Sequence, residues 1–289
     1  MRSEVLLAGV VAGLVLGSAV VLGQTAHYPA GVEGIKAASI PPPGLYLRDY
    51  NYGYYSDSFP GGPDDVKIQA YVQAPRLIYV SELEVLGGNY VADALIEFVY
   101  KDIRIGNNSW DKFGVGDALV EPLILAWHQP QYDLAVGYGF WIPTGDFDVA
   151  NPASPGSGYW GHMLTAGATV FLDEEKKWSV SALNRYEINL ENPDTDIETG
   201  NTWTMEYGVG YSVTPTVDVG VAGYYGVQTT DNRSDGPVMG RAQLAGVGPE
   251  VSVFLPSLKL FAGLRYAYEF EASNRPRGHM LNLILTKIF

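Results

Sequence analysis

From residue 44 to the end of the chain, apolar and polar side chains exchange places at every second position, segment after segment. A helix repeats its apolar face every three or four residues, whereas a strand sends successive side chains to opposite faces. In 178–190, Trp178, Val180, Ala182, Tyr186 and Ile188 share one face, and Ser179, Ser181, Arg185, Glu187 and Asn189 share the other. The same rhythm runs through 202–213 and 258–271, and in 113–127 Ala118, Val120, Ile124 and Ala126 oppose Asp117 and Glu121. Twelve such segments are read, at 44–56, 67–84, 90–103, 113–127, 131–143, 159–172, 178–190, 202–213, 216–229, 238–254, 258–271 and 279–289. Short connections (86–89, 128–130, 173–177, 214–215, 255–257) alternate with longer ones (57–66, 104–112, 144–158, 191–201, 230–237, 272–278).

An even strand count with turns at one end and loops at the other is the pattern of a transmembrane barrel. A soluble β-sandwich also alternates, but its inner faces form a dry core. Here the faces opposite the apolar ones carry Arg, Glu, Asp and Gly, which such a core would leave unpaired. The apolar faces carry aromatics near both ends, as a lipid-facing band with interfacial girdles does. The expected fold is all-β: a single 12-stranded antiparallel transmembrane β-barrel over 44–289, with short periplasmic turns and longer extracellular loops.

Composition narrows the alternatives. The only apolar run long enough for a spanning helix is 5–22, behind Arg2, which excludes a helical membrane bundle. That run reads as the core of a secretory signal peptide over 1–23, leaving an N-terminal arm at 24–43 whose Pro41, Pro42 and Pro43 hold it extended. With no cysteine there is no disulfide, no thiolate metal site, no thiol nucleophile and no lipoprotein anchor. A net charge of −14, from 18 basic and 32 acidic residues, offers nucleic acid no basic face. No metal cluster, phosphate loop or dinucleotide fingerprint is visible, and no cofactor is expected.

The stretch HYPAGVEGIKAASIPPPGLYLRDYNYGYY from His27, with LGGNY from Leu86, GVGDALVEPLILAWH from Gly114, GFWIPTGDFD from Gly139, the long run from Asn151 and GPEVSVFLPSLKLFAGLRYAYEF from Gly248, resembles the outer-membrane family called "putative MetA-pathway of phenol degradation". The resemblance covers nearly all of the mature sequence and implies a channel associated with uptake of small apolar or aromatic compounds. No catalytic residues come with it.

The inward faces are where transport chemistry sits. The candidates are Arg48, Asp93, Glu97, Asp117, Glu121, Arg185, Glu187, Glu206, Glu250, Arg265 and Glu269, with Arg76 added if Pro75 introduces a bulge. They either pair into an interior network that holds the barrel shut or line a path for a ligand. The arm is either a lumen plug, with Glu33 and Lys36 reaching inward Arg265 or Glu121, or a simple lead-in. Leu281, Leu283, Leu285 and Phe289, on one face of the last strand, resemble the signal read by the barrel-assembly machinery. Acidic loop residues, among them Asp146, Asp194, Asp196, Glu198, Asp231 and Asp235, read as solvated loops or as sites where divalent cations bridge to lipopolysaccharide. His162 is the one credible catalytic base, yet no serine sits at a matching height beside it, so an enzyme is not expected. The expected protein lies in a Gram-negative outer membrane, contacts its lipid, and acts as a channel; a structural barrel without conductance and a lipid-modifying enzyme are the alternatives.

Overall fold

The alternating segments close on themselves. The computed structural model describes residues 26–236 and 238–289, and the expected signal peptide lies outside the described residues. The barrel strands are β1 (Gly44–Ser58), β2 (Val66–Val85), β3 (Gly88–Ile105), β4 (Asn108–His128), β5 (Tyr132–Ile142), β6 (Gly161–Phe171), β7 (Trp178–Asn189), β8 (Thr202–Thr214), β9 (Val217–Gln228), β10 (Gln243–Leu255), β11 (Leu260–Ser273) and β12 (Arg277–Ile288). Each pairs antiparallel with its neighbours in sequence, and β12 closes on β1 with Ile288 opposite Tyr46. Closure leaves no free edge for another chain to join. β1 begins and β12 ends at the same rim, here called the terminal end; the opposite rim is the loop end. A small hairpin, Glu191–Asn192 with Ile197–Glu198, lies in the loop between β7 and β8.

Outward faces are apolar and exposed: Trp178 and Val180 on β7, Leu264 and Tyr266 on β11, Leu281 and Leu283 on β12. Apolar surface on this scale needs a bilayer to cover it. Aromatic pairs border it at both rims, with Trp178 against Tyr211 (ring centroids 4.8 Å apart) at the terminal end and Trp203 against Tyr225 (5.9 Å) at the loop end. The band is not continuous. Asp49, Asn51 and Gln73 share the outward face of β1 and β2, where Asp49 Oδ2 accepts hydrogen bonds from Asn51 Nδ2 (3.0 Å) and Gln73 Nε2 (3.2 Å).

Several boundaries differ from the sequence expectation. The connection expected at 104–112 is a two-residue turn, 106–107, because β3 and β4 continue to pair well past Tyr100. The outward face of that extension carries Asp102, Arg104, Ser109 and Asp111, while Ile103 and Trp110 pack inward with Phe59, Val66, Ile68 and Ala153, so the expected polarity of the faces is inverted while the ladder persists; Gly106, with φ 57°, makes the turn. The strict alternation of short and long connections therefore fails. β10 starts at Gln243 rather than 238, since 238–242 belong to the loop.

Two facing assignments change. The register between β4 and β5 shifts between Val120 and Leu123, beside Pro122, which has no N–H for the ladder. The bulge reverses parity, so Ile124 and Ala126, expected to share the face of Ala118 and Val120, are buried in the lumen with Tyr46, Ile78, Val80 and Val91. Arg76 reaches the interior without a bulge: pairing runs at constant register through Pro75, and its parity partners Ile78 and Val80 face inward too. The terminal end of the lumen is thus an apolar collar, against which Ile40 of the arm packs.

Candidate functional site: a lumen filled by the arm

Residues 26–43 pair with no strand, so their backbone donors lack ladder partners. Buried N–H groups must be satisfied somewhere. Carboxylates on the barrel wall do this. Glu206 of β8 accepts from the Gly31 N–H (2.9 Å), the Glu33 N–H (2.8 Å) and the Tyr28 hydroxyl (2.6 Å), and from Arg185 Nη1 (2.8 Å). Glu187 of β7 accepts from the N–H groups of His27 (2.8 Å) and Tyr28 (3.0 Å). Glu250 accepts from the Ile35 N–H (3.0 Å) and from Arg265 Nε (2.8 Å), while Arg265 Nη1 donates to the Gly31 carbonyl (2.6 Å). Gly31, with φ +92°, lets the arm turn here, and a side chain on Gly208 of β8 would strike the backbone of Ile35, 2.9 Å away.

Glu33 and Lys36 find partners other than the expected Arg265 and Glu121. Glu33 accepts from Arg48 Nη2 (2.7 Å) and the Tyr50 hydroxyl (2.6 Å), and Lys36 Nζ donates to Asp218 (2.8 Å). The arm turns Glu33 toward β1, away from β11. Ser39 Oγ donates to Asp133 Oδ2 (2.6 Å) near the terminal end. Glu121 is held by Arg76, which also bonds Asp93 (2.7 Å), forming a second buried network beside the arm.

The remaining candidates divide by what they hold. Asp117 accepts from the N–H groups of Gly145 (3.0 Å) and Ser157 (2.8 Å), drawing the loop between β5 and β6 over the loop end. Glu269 accepts from the Tyr54 hydroxyl (2.7 Å) and the Gly278 N–H (2.8 Å). Glu97 makes no hydrogen bond or ion pair among the described residues. Sequence reasoning missed His27, Tyr28, Tyr50, Asp133, Trp141 and Asp218. Asp133 was legible, since it alternates with exposed Tyr132 and Leu134. Three acidic loop residues, expected to be solvated, have basic partners: Asp146 with Lys112 (2.8 Å), Glu198 with Arg233 (3.0 Å) and Asp231 with Arg241 (2.8 Å). The His162 ring meets the Tyr138 hydroxyl (2.9 Å) rather than a serine.

The lumen is two-sided. The arm bonds to the charged wall of β7 to β11 and packs Tyr28 and Val32 on the opposite wall, which presents Val72, Ala74, Leu95, Leu119 and Trp141 together with Arg76 and Glu97. Between arm and apolar wall runs a narrow crevice of about 40 Å³. It meets a vestibule of about 220 Å³ at the loop end, floored by His27 to Ala30 and walled by Tyr52, Val99, Lys101 and Arg275. The vestibule is below the usual drug-sized range of roughly 300–1,000 Å³, which limits it to small molecules.

His27 anchors the tip of the arm. Its ring stacks on Trp141 (5.4 Å), Nδ1 lies 3.0 Å from Glu187, and Nε2 lies 3.1 Å from the Tyr159 carbonyl and 3.7 Å from Asp117. Burial opposes the charged ring, but the hydrogen bond and charge of Glu187, with the charge of Asp117, outweigh it and raise the pKa above its ordinary value. Glu97 and Lys101 of β3 face the same region. A raised pKa means that the cation favours the docked arm. That contribution is full below the free value of about 6.5 and is lost as pH climbs through the raised value. Arm-dependent conductance should therefore increase toward alkaline pH, and His27→Gln should flatten the profile in single-channel recordings; a wild-type profile that falls with pH would contradict this.

The shape is found elsewhere. The crystal structure of an outer membrane channel from Pseudomonas putida F1 superposes with a TM-score of 0.77 at 20% identity, covering 91% of this chain and 100% of that one. The translocator domain of the autotransporter NalP from Neisseria meningitidis gives 0.54 at 12% identity, covering 88% and 91%. At these identities the likeness speaks to the fold alone. No curated protein matches the sequence. The model of the family described as "Putative MetA-pathway of phenol degradation" matches residues 51–284, nearly the whole barrel, and the chain belongs to that family.

Proposed function

We propose that the protein is a channel of the Gram-negative outer membrane that admits small apolar or aromatic solutes when the arm shifts. In this reading the terminal end faces the periplasm and the loop end faces outward, because turns in such barrels are periplasmic. The observation that carries it is the two-sided lumen. A channel for ions or sugars has polar surface on all sides, whereas the crevice beside the arm carries Val72, Ala74, Leu95, Leu119 and Trp141 along one side, with Arg76, Glu97 and Arg185 at its margins. The apolar collar of Ile78, Val80, Val91 and Ile124 forms a second apolar layer toward the terminal end, separated from the crevice by the buried network of Arg76, Asp93 and Glu121. Charged residues on the other wall are occupied by the arm and guide no solute while it is docked. The test is uptake of a labelled single-ring aromatic by cells with and without the protein in the outer membrane. Expression should raise the initial rate several-fold; equal rates would leave a barrel with no transport role.

A further inference from the structure

The connection between β11 and β12 carries a cation whose hydrogen-bonding capacity is unspent. Arg275 lies there, at the loop end, and lines the vestibule. Its side chain is only 24% exposed, and Glu269 stands 3.8 Å from Nη2, beyond hydrogen-bond reach. Glu269 already accepts from the Tyr54 hydroxyl and the Gly278 N–H. Among the described residues no acceptor takes any of the five N–H donors of Arg275, and its Nε is sealed from solvent without a partner. Other donors around the same space are also in surplus. Lys101 spends one of its three on the Ser154 carbonyl (2.8 Å), and Thr202 Oγ1 is buried with no partner. The acids nearby are engaged: Asp117 gives one oxygen to the Gly145 N–H and the other to the Ser157 N–H, and Glu97 shares the inward face of β3 with the opposite charge of Lys101. Buried donors are normally satisfied, so a guanidinium with none of its bonds made beside an empty space marks the place of a ligand's acceptor.

We infer that the vestibule receives a small organic carboxylate, its two oxygens on the Arg275 guanidinium and its apolar tail directed into the crevice. This rests on the reading of the protein as a channel for small, largely apolar solutes and names the charged head group that such a solute carries. The chemistry discriminates between classes. A carboxylate offers only acceptors, and its two oxygens match the guanidinium fork. An alcohol brings a single oxygen and a donor of its own. A protonated amine brings three more donors, and a like charge, to a wall that already holds Arg275 and Lys101. The space has the matching shape. The vestibule of about 220 Å³ holds the head group, and Tyr52 and Val72 line both it and the crevice, so a short tail passes from one to the other.

The test uses the full-length protein in nanodiscs of zwitterionic lipid at neutral pH, where a carboxylic acid is ionised. The probes are a difluorinated cyclohexane bearing a carboxylate, a hydroxymethyl or an aminomethyl group, read by fluorine NMR against empty nanodiscs. Charge-assisted bonds to a guanidinium add about tenfold or more in affinity. The acid should therefore bind at least about tenfold more tightly than the alcohol, and the amine most weakly of the three. This ranking is read on the unaltered protein. Arg275→Gln should bring the acid down to the level of the alcohol, whose own binding persists, and Arg275→Lys, which keeps the charge but loses the fork, should retain only part of the preference. Heat-modifiable migration checks that each barrel is folded. Equal binding of acid and alcohol, a preference for the amine, or an acid preference that survives in folded Arg275→Gln would overturn the inference and leave the channel for apolar solutes standing. Binding of none of the three probes would remove that channel, and the inference with it.

Discussion

Removing residues 27–40 should turn a barrel that conducts poorly into one that conducts freely, with folding intact. The arm fills the lumen between the charged wall and the crevice, so its loss leaves a water-filled pore lined by Glu187, Glu206, Arg185, Glu250 and Arg265. Those side chains, no longer bonded to the arm, are hydrated rather than stranded, so the desolvation cost of a buried charge does not arise. The barrel wall keeps its own ladder from β1 to β12 and its closure. Bilayer recordings should show a large rise in ion conductance with heat-modifiable migration retained. A truncated barrel that folds and conducts like the full-length protein would reduce the arm to a lead-in.

The second large effect belongs to Glu206. It is fully buried and accepts two backbone N–H groups and a hydroxyl from the arm, together with Arg185 from the wall. Glu206→Ala removes all four bonds and leaves the Arg185 cation without its ion-pair partner. Breaking a buried pair from one side costs about 3–5 kcal/mol. Applied to the docked arm, even the lower figure shifts the balance toward release by about a hundredfold. Hydrogen exchange should show the amides of 28–35 losing protection, while those of β8 and β9 stay protected. Glu206→Gln, which keeps the shape and one acceptor, should fall between. Unchanged protection in Glu206→Ala would mean that the arm is held by packing of Tyr28 and Val32 rather than by the wall carboxylates.

Alternation alone was enough to place the strands, because one face meets lipid and the other meets charge along most of their length. It failed where that contrast changed. Beyond Tyr100 the β3–β4 hairpin turns Asp102, Arg104 and Asp111 outward and packs Ile103 inward under the loops, the inverse of the lipid-facing pattern, so a long ladder read as a loop. At Pro122 a single inserted residue reversed the parity of Ile124 and Ala126, which periodicity cannot foresee without the pairing partner. The inward charges were legible from the same alternation, but their purpose was not. Glu187, Glu206 and Glu250 serve backbone N–H groups of a segment more than 150 residues away in sequence. Side-chain pattern records nothing about backbone donors. The arm's own role rested on its proline content and glycines, while His27 and Tyr28, its firmest anchors, carried no local signal.

Movement of the arm can be tested on the chain as it stands, because it contains no cysteine. Ser39 Oγ and Asp133 Oδ2 meet across the arm–wall contact (2.6 Å), which makes these two positions the pair to replace with cysteines. In single-channel recordings and aromatic uptake assays, the oxidised Ser39→Cys/Asp133→Cys protein should be held closed, and a reductant should restore the activity of the uncrosslinked barrel. Equal conductance and equal uptake before and after reduction, with the crosslink verified, would show that solutes pass without the arm moving.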